Sequence, residues 1–142
     1  GFYCTTQINV GDYVHIAPYT IIVGGSNASL IMEDFSGIAA GSKIVCASDS
    51  FSGGCLMNPQ VPEKFRKVIN SPVVFGRFSC VGVNSVVLPG VELAEGSVLG
   101  ANSTLTKTTE PWTIYVGSPA RAVKKRDKGK ILEYAKELGY EW

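Results

Sequence analysis

A six-residue periodicity is the feature of this sequence that most limits the folds it can adopt. The stretch from Val81 to Leu105 reads VGVNSVVLPGVELAEGSVLGANSTL and places an aliphatic residue at every sixth position. Twelve such hexads begin at Val10, Ile16, Ile22, Met32, Ile38, Ile44, Phe75, Val81, Val87, Leu93, Leu99 and Leu105. The fifth position is always Ser, Thr or Val, and the fourth is Gly or Asn in six hexads. Because Gly and Asn adopt positive φ at little cost, each hexad is predicted to contain a corner.

A strand that turns every six residues forms one flat face of a coil, and three faces close a triangular rung. Stacked rungs bury the first positions as a continuous core and pair the backbones of neighbouring coils. The spacing therefore predicts an all-β fold, a parallel β-helix of about four rungs whose core column is the twelve first-position residues. A sandwich would not require a small fifth residue, and the recurrent Gly, Pro, Ser and Asn oppose a helical fold.

Two interruptions divide the repeat. Residues 28–31 separate the first rung from the second, and residues 50–74 are predicted to project as an extended loop of the kind that carries binding groups. Residues 1–126 would form the β-helix domain, and residues 127–142 a short C-terminal α-helix. Asp127 is the expected N-cap, with Ile131, Tyr134, Ala135 and Leu138 on one helical face.

Composition excludes several classes of protein. The 142 residues carry a net charge of only +1, which does not suggest binding to nucleic acid or to an acidic membrane surface. No apolar run approaches the roughly 18 residues that span a bilayer, and the start lacks the pattern of a signal peptide, so a cytoplasmic protein is expected. The cysteines, Cys4, Cys46, Cys55 and Cys80, show no CxxC spacing, and His15 is the sole histidine. Free thiols and no metal site are the expectation.

The second half of the chain resembles a known family. The run FGRFSCVGVNSVVLPGVELAEGSVLGANSTLTK, followed by EPWTIYVGSPARAVKKR, is similar to the closing coils and tail of bacterial galactoside and maltose acetyltransferases and of O-antigen and capsule sugar acetyltransferases. These are left-handed β-helix, hexapeptide-repeat acyltransferases, and the resemblance extends from about Val10 to Arg126. It implies a left-handed coil and a homotrimer with active sites between subunits. It also implies acetyl transfer from acetyl-CoA to a hydroxyl or amine of a sugar or nucleotide-linked sugar, in lipopolysaccharide or other surface polysaccharide biosynthesis.

The resemblance also implies a set of coenzyme-binding residues. Val83 and Ala101 fall at turns whose backbone lines the pantetheine channel in such enzymes, and Thr106 with Lys107 resembles the segment near the outer end of the coenzyme. Arg121 and Lys124 match the basic pair that meets its phosphates. Fixed cations suit a cofactor that carries several phosphate charges. The alternative is that the basic tail is only a solvated surface.

The chain departs from the family at the position of the catalytic base. Many relatives carry a histidine at the corner before the large loop, whereas this chain reads CASDSF and has Asp49 there. His15 lies at a corner that the resemblance places near the same cleft between subunits, so His15 and Asp49 could face each other across a subunit boundary. His15 is the only side chain whose ordinary pKa suits general-base work near neutral pH, and Asp49 could fix its tautomer.

Candidates for substrate binding lie in the loop. Asn58, Lys64 and Arg66 could contact the sugar or its nucleotide carrier, or could belong to a solvated loop.

Two alternative functions for a β-helix are a γ-class carbonic anhydrase and a non-catalytic scaffold. The carbonic anhydrase needs three imidazole ligands, and one histidine cannot supply them. A non-catalytic β-helix scaffold is favoured by the missing family histidine but opposed by the TK and PAR segments. Binding of coenzyme A would separate a scaffold from an enzyme.

Overall fold

Successive strands of the chain enter three parallel sheets in turn, which is the arrangement that the hexads predict. The computed structural model describes residues 1–142. Its strands, in chain order, are β1 (Tyr3–Cys4), β2 (Gln7–Val10), β3 (His15–Ile16), β4 (Ile21–Val23), β5 (Ser29–Met32), β6 (Gly37–Ile38), β7 (Lys43–Val45), β8 (Ala47–Asp49), β9 (Val68–Asn70), β10 (Val73–Phe75), β11 (Cys80–Val81), β12 (Val86–Val87), β13 (Glu92–Leu93), β14 (Val98–Leu99), β15 (Thr104–Leu105), β16 (Thr113–Gly117) and β17 (Ala120–Lys125). One helix, α1 (Gly129–Glu137), follows the last strand.

The strands stack in a fixed order within each sheet. Sheet 1 contains β1, β4, β7, β12 and β15; sheet 2 contains β2, β5, β10 and β13; and sheet 3 contains β3, β6, β11, β14 and β16. Strand β17 extends sheet 3 as an antiparallel neighbour of β16. Each coil therefore contributes one strand to each sheet, and the chain forms a parallel β-helix.

The core is the column of first-position residues. In sheet 1, Ile22 pairs with Ile44, and Val87 pairs with Ile44 and Leu105, so equivalent positions stack directly. Ten of the twelve first-position residues are buried, all but Val10 and Ile16.

Two members of the predicted column do not belong to the buried core. Val10 is 54% exposed and Ile16 is only partly buried. Both lie in the first coil, where β2 and β3 are the last strands of their sheets and have a neighbouring coil on one side only. In this fold the coils above and below a residue bury its apolar side chain. Val10 and Ile16 have a coil on one side only, so they stay partly exposed.

The structure corrects the bounds of the two predicted interruptions. The prediction that residues 28–31 separate two rungs is wrong, because Ser29–Met32 forms β5, with Leu30 fully buried. The predicted loop includes Val73 and Val74, but these residues begin β10, and Val73 is also fully buried. In both places the chain makes a longer strand whose inward residue comes two positions before the first position of the hexad, as the period of a strand requires.

Buried serines explain the small fifth position. The hydroxyl of Ser42 donates to the Gly82 carbonyl at 2.9 Å, and that of Ser85 donates to the Gly100 carbonyl at 2.9 Å. The Ser103 hydroxyl accepts a hydrogen bond from the Gly117 N–H at 2.9 Å. These hydroxyls join consecutive coils inside the corner between sheets 3 and 1, where a larger side chain would not fit.

Aromatic residues form the corners between sheets 2 and 3. Tyr13, Phe35 and Phe78 occupy the fourth position of their hexads with φ of 55°, 61° and 62°. The Tyr13 and Phe35 rings stack with centroids 5.0 Å apart, and the Phe35 and Phe78 rings stack at 5.2 Å. A left-handed conformation costs a non-glycine residue roughly 1–2 kcal/mol. Aromatic stacking, at about 0.5–1.5 kcal/mol a pair beyond burial, offsets part of that cost.

The C-terminal segment crosses this aromatic corner. Ala135 of α1 is buried with Phe78 and Trp112, whereas Tyr134 and Leu138, predicted to share its face, are exposed. Asp127 accepts a hydrogen bond from the Gly129 N–H at 3.0 Å, although the N-cap residue itself is Lys128. Beyond the helix, the Tyr140 hydroxyl donates to Asp12 at 2.6 Å. The tail thus connects the last coil to the first.

The structure contains no helix that is long and apolar enough to cross a membrane.

The position of a residue along the coil stack should decide how much it stabilises the fold. We expect Leu99→Ala, in the middle of the column, to lower the free energy of unfolding by about 2–5 kcal/mol through lost burial and a cavity. Val10→Ala, at the end, should change it by about 0.5 kcal/mol or less. Urea denaturation of both variants provides the measurement, and equal losses would contradict the end-coil assignment of Val10.

Candidate active site

His15 lies on the outer face of sheet 3 in a groove of about 360 Å³. The groove is lined by Tyr13, His15, Phe35, Ser36, Gly37, Ile38, Ala39, Phe78, Cys80 and Arg126. Ile16 points toward the core, so the alternation of the strand places the preceding His15 side chain outward. The imidazole is exposed and has no hydrogen-bond partner within the chain. Nothing in one protomer therefore fixes its tautomer.

Gly37 keeps the floor of this groove open. In sheet 3 it pairs with His15 on one side and with Cys80 on the other. A Cβ at position 37 would lie 3.7 Å from the Cys80 Sγ, so a larger side chain would fill the space between the imidazole and the thiol. Nothing in the sequence distinguishes Gly37 for this role, because it is one of 16 glycines in the chain.

Cys80 faces the groove but is poorly suited to act as a nucleophile. Burial raises the pKa of its thiol, and the positive charge of Arg126 offsets only part of that effect. A thiol that stays protonated at neutral pH does not attack a carbonyl readily.

Arg126 forms one wall of the groove and is held in place by backbone carbonyls. Its Nη1 donates to the Phe78 carbonyl at 2.7 Å and to the Gly96 carbonyl at 3.0 Å. The guanidinium also lies 5.6 Å from the centre of the Trp112 ring. Nothing in the sequence signals this role, because Arg126 is one of several basic residues in its segment.

The C-terminal tail supports the aromatic wall of the groove. Tyr140 packs edge-on against Phe35 with centroids 5.1 Å apart, and Trp142 packs edge-on against Phe78 at 5.4 Å. Trp142 also lies under the guanidinium of Arg77, which is 4.5 Å from its ring centre. The hydrogen bond to Asp12 raises the pKa of Tyr140 to about 12, so the hydroxyl remains a donor at neutral pH.

A column of small corner residues leads away from the groove toward the last coil. Ala39 lines the groove, and the carbonyl of the next residue, Ala40, accepts a hydrogen bond from Asn84 at 3.0 Å. The Val83 carbonyl accepts one from Asn102 at 2.9 Å, which stacks the turns that contain Val83 and Ala101.

The same corner continues to the β16–β17 hairpin. A Cβ at Gly100 would lie 3.0 Å from the Val116 side chain, and Val116 pairs with Arg121. We call the path through Ala40, Val83, Ala101 and Val116 to Arg121 the corner column. Since adjacent strands are about 4.8 Å apart, its four steps from β6 to β17 cover roughly 19 Å.

The basic tail residues are not equivalent. The Lys125 ammonium donates a hydrogen bond to the Thr113 hydroxyl at 3.0 Å and lies 3.7 Å from the Glu110 carboxylate. The Arg126 guanidinium donates to backbone carbonyls. Arg121 donates only to the Ala120 carbonyl at 3.2 Å, and neither Arg121 nor Lys124 has a carboxylate partner. Two exposed and unneutralised cations therefore lie on β17: Arg121 at the end of the corner column, and Lys124 three residues farther along the strand, opposite Ile114.

Thr106 and Lys107 lie at a different corner. They follow β15 where the chain leaves sheet 1, and both are exposed. Sheet 1 separates them from the turns of Val83 and Ala101. The structure does not bring them together with Arg121 and Lys124 in one protomer.

Asp49 belongs to a hydrogen-bonded cluster in the projecting loop. Strands β8 and β9 pair antiparallel and carry residues 50–67 between them. Asp49 Oδ1 accepts hydrogen bonds from Arg66 Nη2 at 2.7 Å and Nε at 3.1 Å, and Oδ2 accepts one from the Asn58 N–H at 2.9 Å. We call Asp49, Asn58 and Arg66 the loop cluster.

The loop cluster sets the charge state of Asp49. The hydrogen bond from Arg66, and then that from the Asn58 N–H, lowers the pKa of this carboxyl, whereas partial burial acts in the opposite direction. An anion held so firmly is a weak proton acceptor at neutral pH. The structure thus joins three candidate residues that the sequence named separately.

The structure does not join Asp49 and His15 within one protomer. His15 lies in the groove on sheet 3, and Asp49 lies on the hairpin that leaves sheet 1 after β7. The third loop candidate, Lys64, stands apart from the loop cluster, with its ammonium 4.9 Å from the centre of the Phe65 ring.

Comparisons with known proteins identify the family. No family model matches the chain. It is 34% identical over 126 residues to dTDP-4-amino-4,6-dideoxy-D-glucose acyltransferase from Escherichia coli, a match that covers 89% of this chain and 64% of that protein.

Solved structures agree with this match. The N-acyltransferase AntD from Bacillus cereus, in complex with dTDP and 3-hydroxybutyryl-CoA, superimposes with a TM-score of 0.91 at 34% identity, over 96% of this chain and 72% of that chain. A hexapeptide-repeat-containing acetyltransferase from Vibrio cholerae, complexed with acetyl coenzyme A, gives 0.75 at 25% identity, over 89% of this chain and 65% of that chain. The chain belongs to the hexapeptide-repeat acyltransferases. It spans 64% of the length of the E. coli relative.

The ion pair in the loop cluster should hold the loop closed. Asp49→Asn removes the charge that Arg66 meets, so the amides of Leu56 and Asn58 should exchange with solvent faster at neutral pH. Because the pKa of Asp49 is lowered in the folded state, its stabilisation is present above the ordinary aspartate pKa of about 3.9 and is lost as the pH falls through the lowered value. The wild-type loop in acid should therefore resemble the variant. Hydrogen exchange measures both effects.

Glu63→Gln is the matched control for this measurement, because Glu63 lies in the same loop and makes no ion pair. Unchanged exchange in Asp49→Asn would mean that the loop does not depend on the pair.

Proposed function

We propose that this chain transfers an acetyl or similar acyl group from its coenzyme A thioester to the amine of a nucleotide-linked amino sugar. The similarity to an amino-sugar acyltransferase and to an N-acyltransferase seen with dTDP and an acyl-CoA supports both substrate classes. A hydroxyl acceptor is the second candidate, because the resemblance to sugar acetyltransferases includes enzymes of that kind.

One observation carries the proposal: the corner column runs from the His15 groove to β17, the strand that carries two unneutralised cations. Arg121 and Lys124 suit the phosphates of the coenzyme, and the small residues Ala40, Val83 and Ala101 leave space for an extended arm along the corner. The thioester end would then reach the groove of His15. Coenzyme A supplies the activated acyl group.

The residues of the groove fit proton transfer during this reaction. The amine nitrogen forms a bond to the thioester carbonyl carbon, the carbon–sulfur bond breaks, and the sulfur leaves as coenzyme A. The acceptor must lose a proton, and the departing sulfur must gain one. His15 is the group in the groove suited to accept the first and deliver the second.

We propose that the site is completed by a second subunit in a left-handed, trimeric assembly. The His15 imidazole has no partner within its own chain, so the group that orients it must come from a substrate or from another chain. The projecting loop, with Asp49 held as an anion, is a suitable contribution from a neighbouring subunit. The same loop would bring Asn58, Lys64 and Arg66, which would contact the acceptor or support the loop.

Several expectations stay predictions. A role for Thr106 and Lys107 at the outer end of the coenzyme requires a contact outside this protomer. The place of the reaction in surface polysaccharide biosynthesis and in the cytoplasm also stays a prediction, and it is consistent with a nucleotide-linked acceptor.

Charge reversal at the end of the corner column tests the coenzyme site. Arg121→Glu/Lys124→Glu should raise the KM for acetyl-CoA by about tenfold or more, because charge-assisted bonds to phosphate contribute roughly 1.5–3 kcal/mol each. The KM for the acceptor should change little. Steady-state kinetics that follow thiol release provide the measurement.

A matched control for this variant is Lys125→Glu, since Lys125 lies on the same strand but already has partners. Equal effects on both substrates would place the coenzyme elsewhere. Failure of the wild-type chain to bind coenzyme A would favour the scaffold.

Replacement of the proposed base tests the chemistry. His15→Ala should lower kcat by roughly 100-fold while coenzyme binding remains, since general-base catalysis contributes about 10²–10⁴-fold. With an amine acceptor the loss should shrink as the pH rises, because the free amine then forms in solution without help. With a hydroxyl acceptor it should persist. The pH profile of kcat in both proteins is the measurement.

Asp49→Asn serves as the comparison for this variant. If Asp49 only orients His15, Asp49→Asn should lower kcat less than His15→Ala does. The double variant should then lower kcat little more than His15→Ala alone. Near-normal kcat in His15→Ala at neutral pH would exclude the base assignment and leave acyl transfer standing.

A further inference from the structure

The projecting loop contains a second cavity, of about 500 Å³, separate from the His15 groove. Its lining includes Gly53, Gly54, Cys55, Lys64, Phe65 and Lys67. Neither the groove nor the corner column shares a residue with it.

This cavity carries net positive charge. Arg66 also lines it, but its guanidinium is neutralised by Asp49 at 2.7 Å. Lys64 and Lys67 have no carboxylate partner. Glu63 is the only acidic residue among residues 51–67, and it does not line the cavity. Two lysines are therefore left to attract an anion.

The glycine-containing part of the lining has backbone donors without acceptors. Gly53 and Gly54 have φ of 98° and 78°, and a Cβ at either would meet nothing within 4 Å. The N–H groups of Gly53, Gly54 and Cys55 donate to no acceptor in the protein. Free backbone N–H groups beside lysine ammoniums are a recurrent means of holding phosphate oxygens.

Apolar surface adjoins these donors. Phe65 is half exposed, and Leu56, also in the lining, is more than half exposed. A lone inorganic anion would leave this surface in water, whereas a nucleotide has a ring system to place against it. The cavity therefore matches a phosphate-bearing ligand with an organic part.

We propose that this loop cavity binds the diphosphate of a nucleotide, with Lys64, Lys67 and the Gly53–Cys55 backbone as its ligands. The assignment to the acceptor rests on the proposed function, in which a nucleotide-linked sugar is the substrate. The coenzyme also contains a diphosphate, but Arg121 and Lys124 on the last coil already suit its phosphates. Arg66 acts differently from its loop neighbours: it positions the loop through Asp49 and does not meet the ligand.

Direct binding to the full chain tests this site without requiring catalysis. The probes are dTDP, UDP and coenzyme A, each titrated by calorimetry into the wild type and into Lys64→Glu/Lys67→Glu. The control is Lys128→Glu/Lys130→Glu, which makes the same change in net charge on exposed lysines near the start of α1. A milder pair, Lys64→Gln/Lys67→Gln, removes the charge without reversing it.

We expect the loop variant to weaken binding of dTDP or UDP by about tenfold or more, with a smaller loss in the Gln pair, since a charged hydrogen bond contributes roughly 1.5–3 kcal/mol. Coenzyme A binding and the control should stay within about twofold of wild type. Weakened coenzyme A with unchanged nucleotide binding would overturn the assignment to the acceptor. Unchanged binding of every probe would overturn the site.

The outcomes separate this inference from the proposed function. Nucleotide binding that depends on Lys64 and Lys67, without any acyl transfer, would support the site and contradict the reaction. Acyl transfer to a sugar by a wild-type chain that binds neither nucleotide would support the reaction and contradict the site.

Discussion

The stacking of each coil in register on the next is the constraint on which the rest of this structure depends. Parallel backbone pairing fixes the height of every strand, and buried hydroxyls such as those of Ser42 and Ser85 join the coils inside one corner. Because equivalent hexad positions then lie directly above one another, a residue type repeated in the sequence becomes a column in space. A core, an aromatic corner and a path of small corner residues all arise from this one rule.

The same rule separates the parts of the site. The groove of His15 and the corner column are built on strands and corners whose positions the coil determines. The loop cluster lies outside the coil and depends on its own ion pair between Asp49 and Arg66. The coil thus positions the groove and the corner column rigidly, whereas the loop can vary in length and sequence without disturbing the core. Such a division is common where a rigid scaffold presents variable binding loops.

Much of the fold could be predicted from the sequence, because each hexad indicates which residue points into the core and where the chain turns a corner. Two features depend on contacts between coils and not on the hexad itself. Val10 fits the pattern but lies at an end, and exposure at an end depends on what stacks there. Phe35 and Phe78 adopt positive φ against their own preference, since ring stacking between coils compensates. Neither effect is visible in a single hexad.

The site was less predictable than the fold, because partners distinguish residues of the same type. Four basic residues of one tail segment read alike in the sequence, but the structure leaves Arg121 and Lys124 unpaired and gives Lys125 and Arg126 other tasks. Asp49 reads as a replacement for a missing histidine, yet its hydrogen bonds lower its pKa and make it a poor base. A carboxylate with that role can orient a base or a substrate but cannot substitute for a base. The proton chemistry of the proposed reaction therefore rests on His15, whose own partner must come from outside its chain.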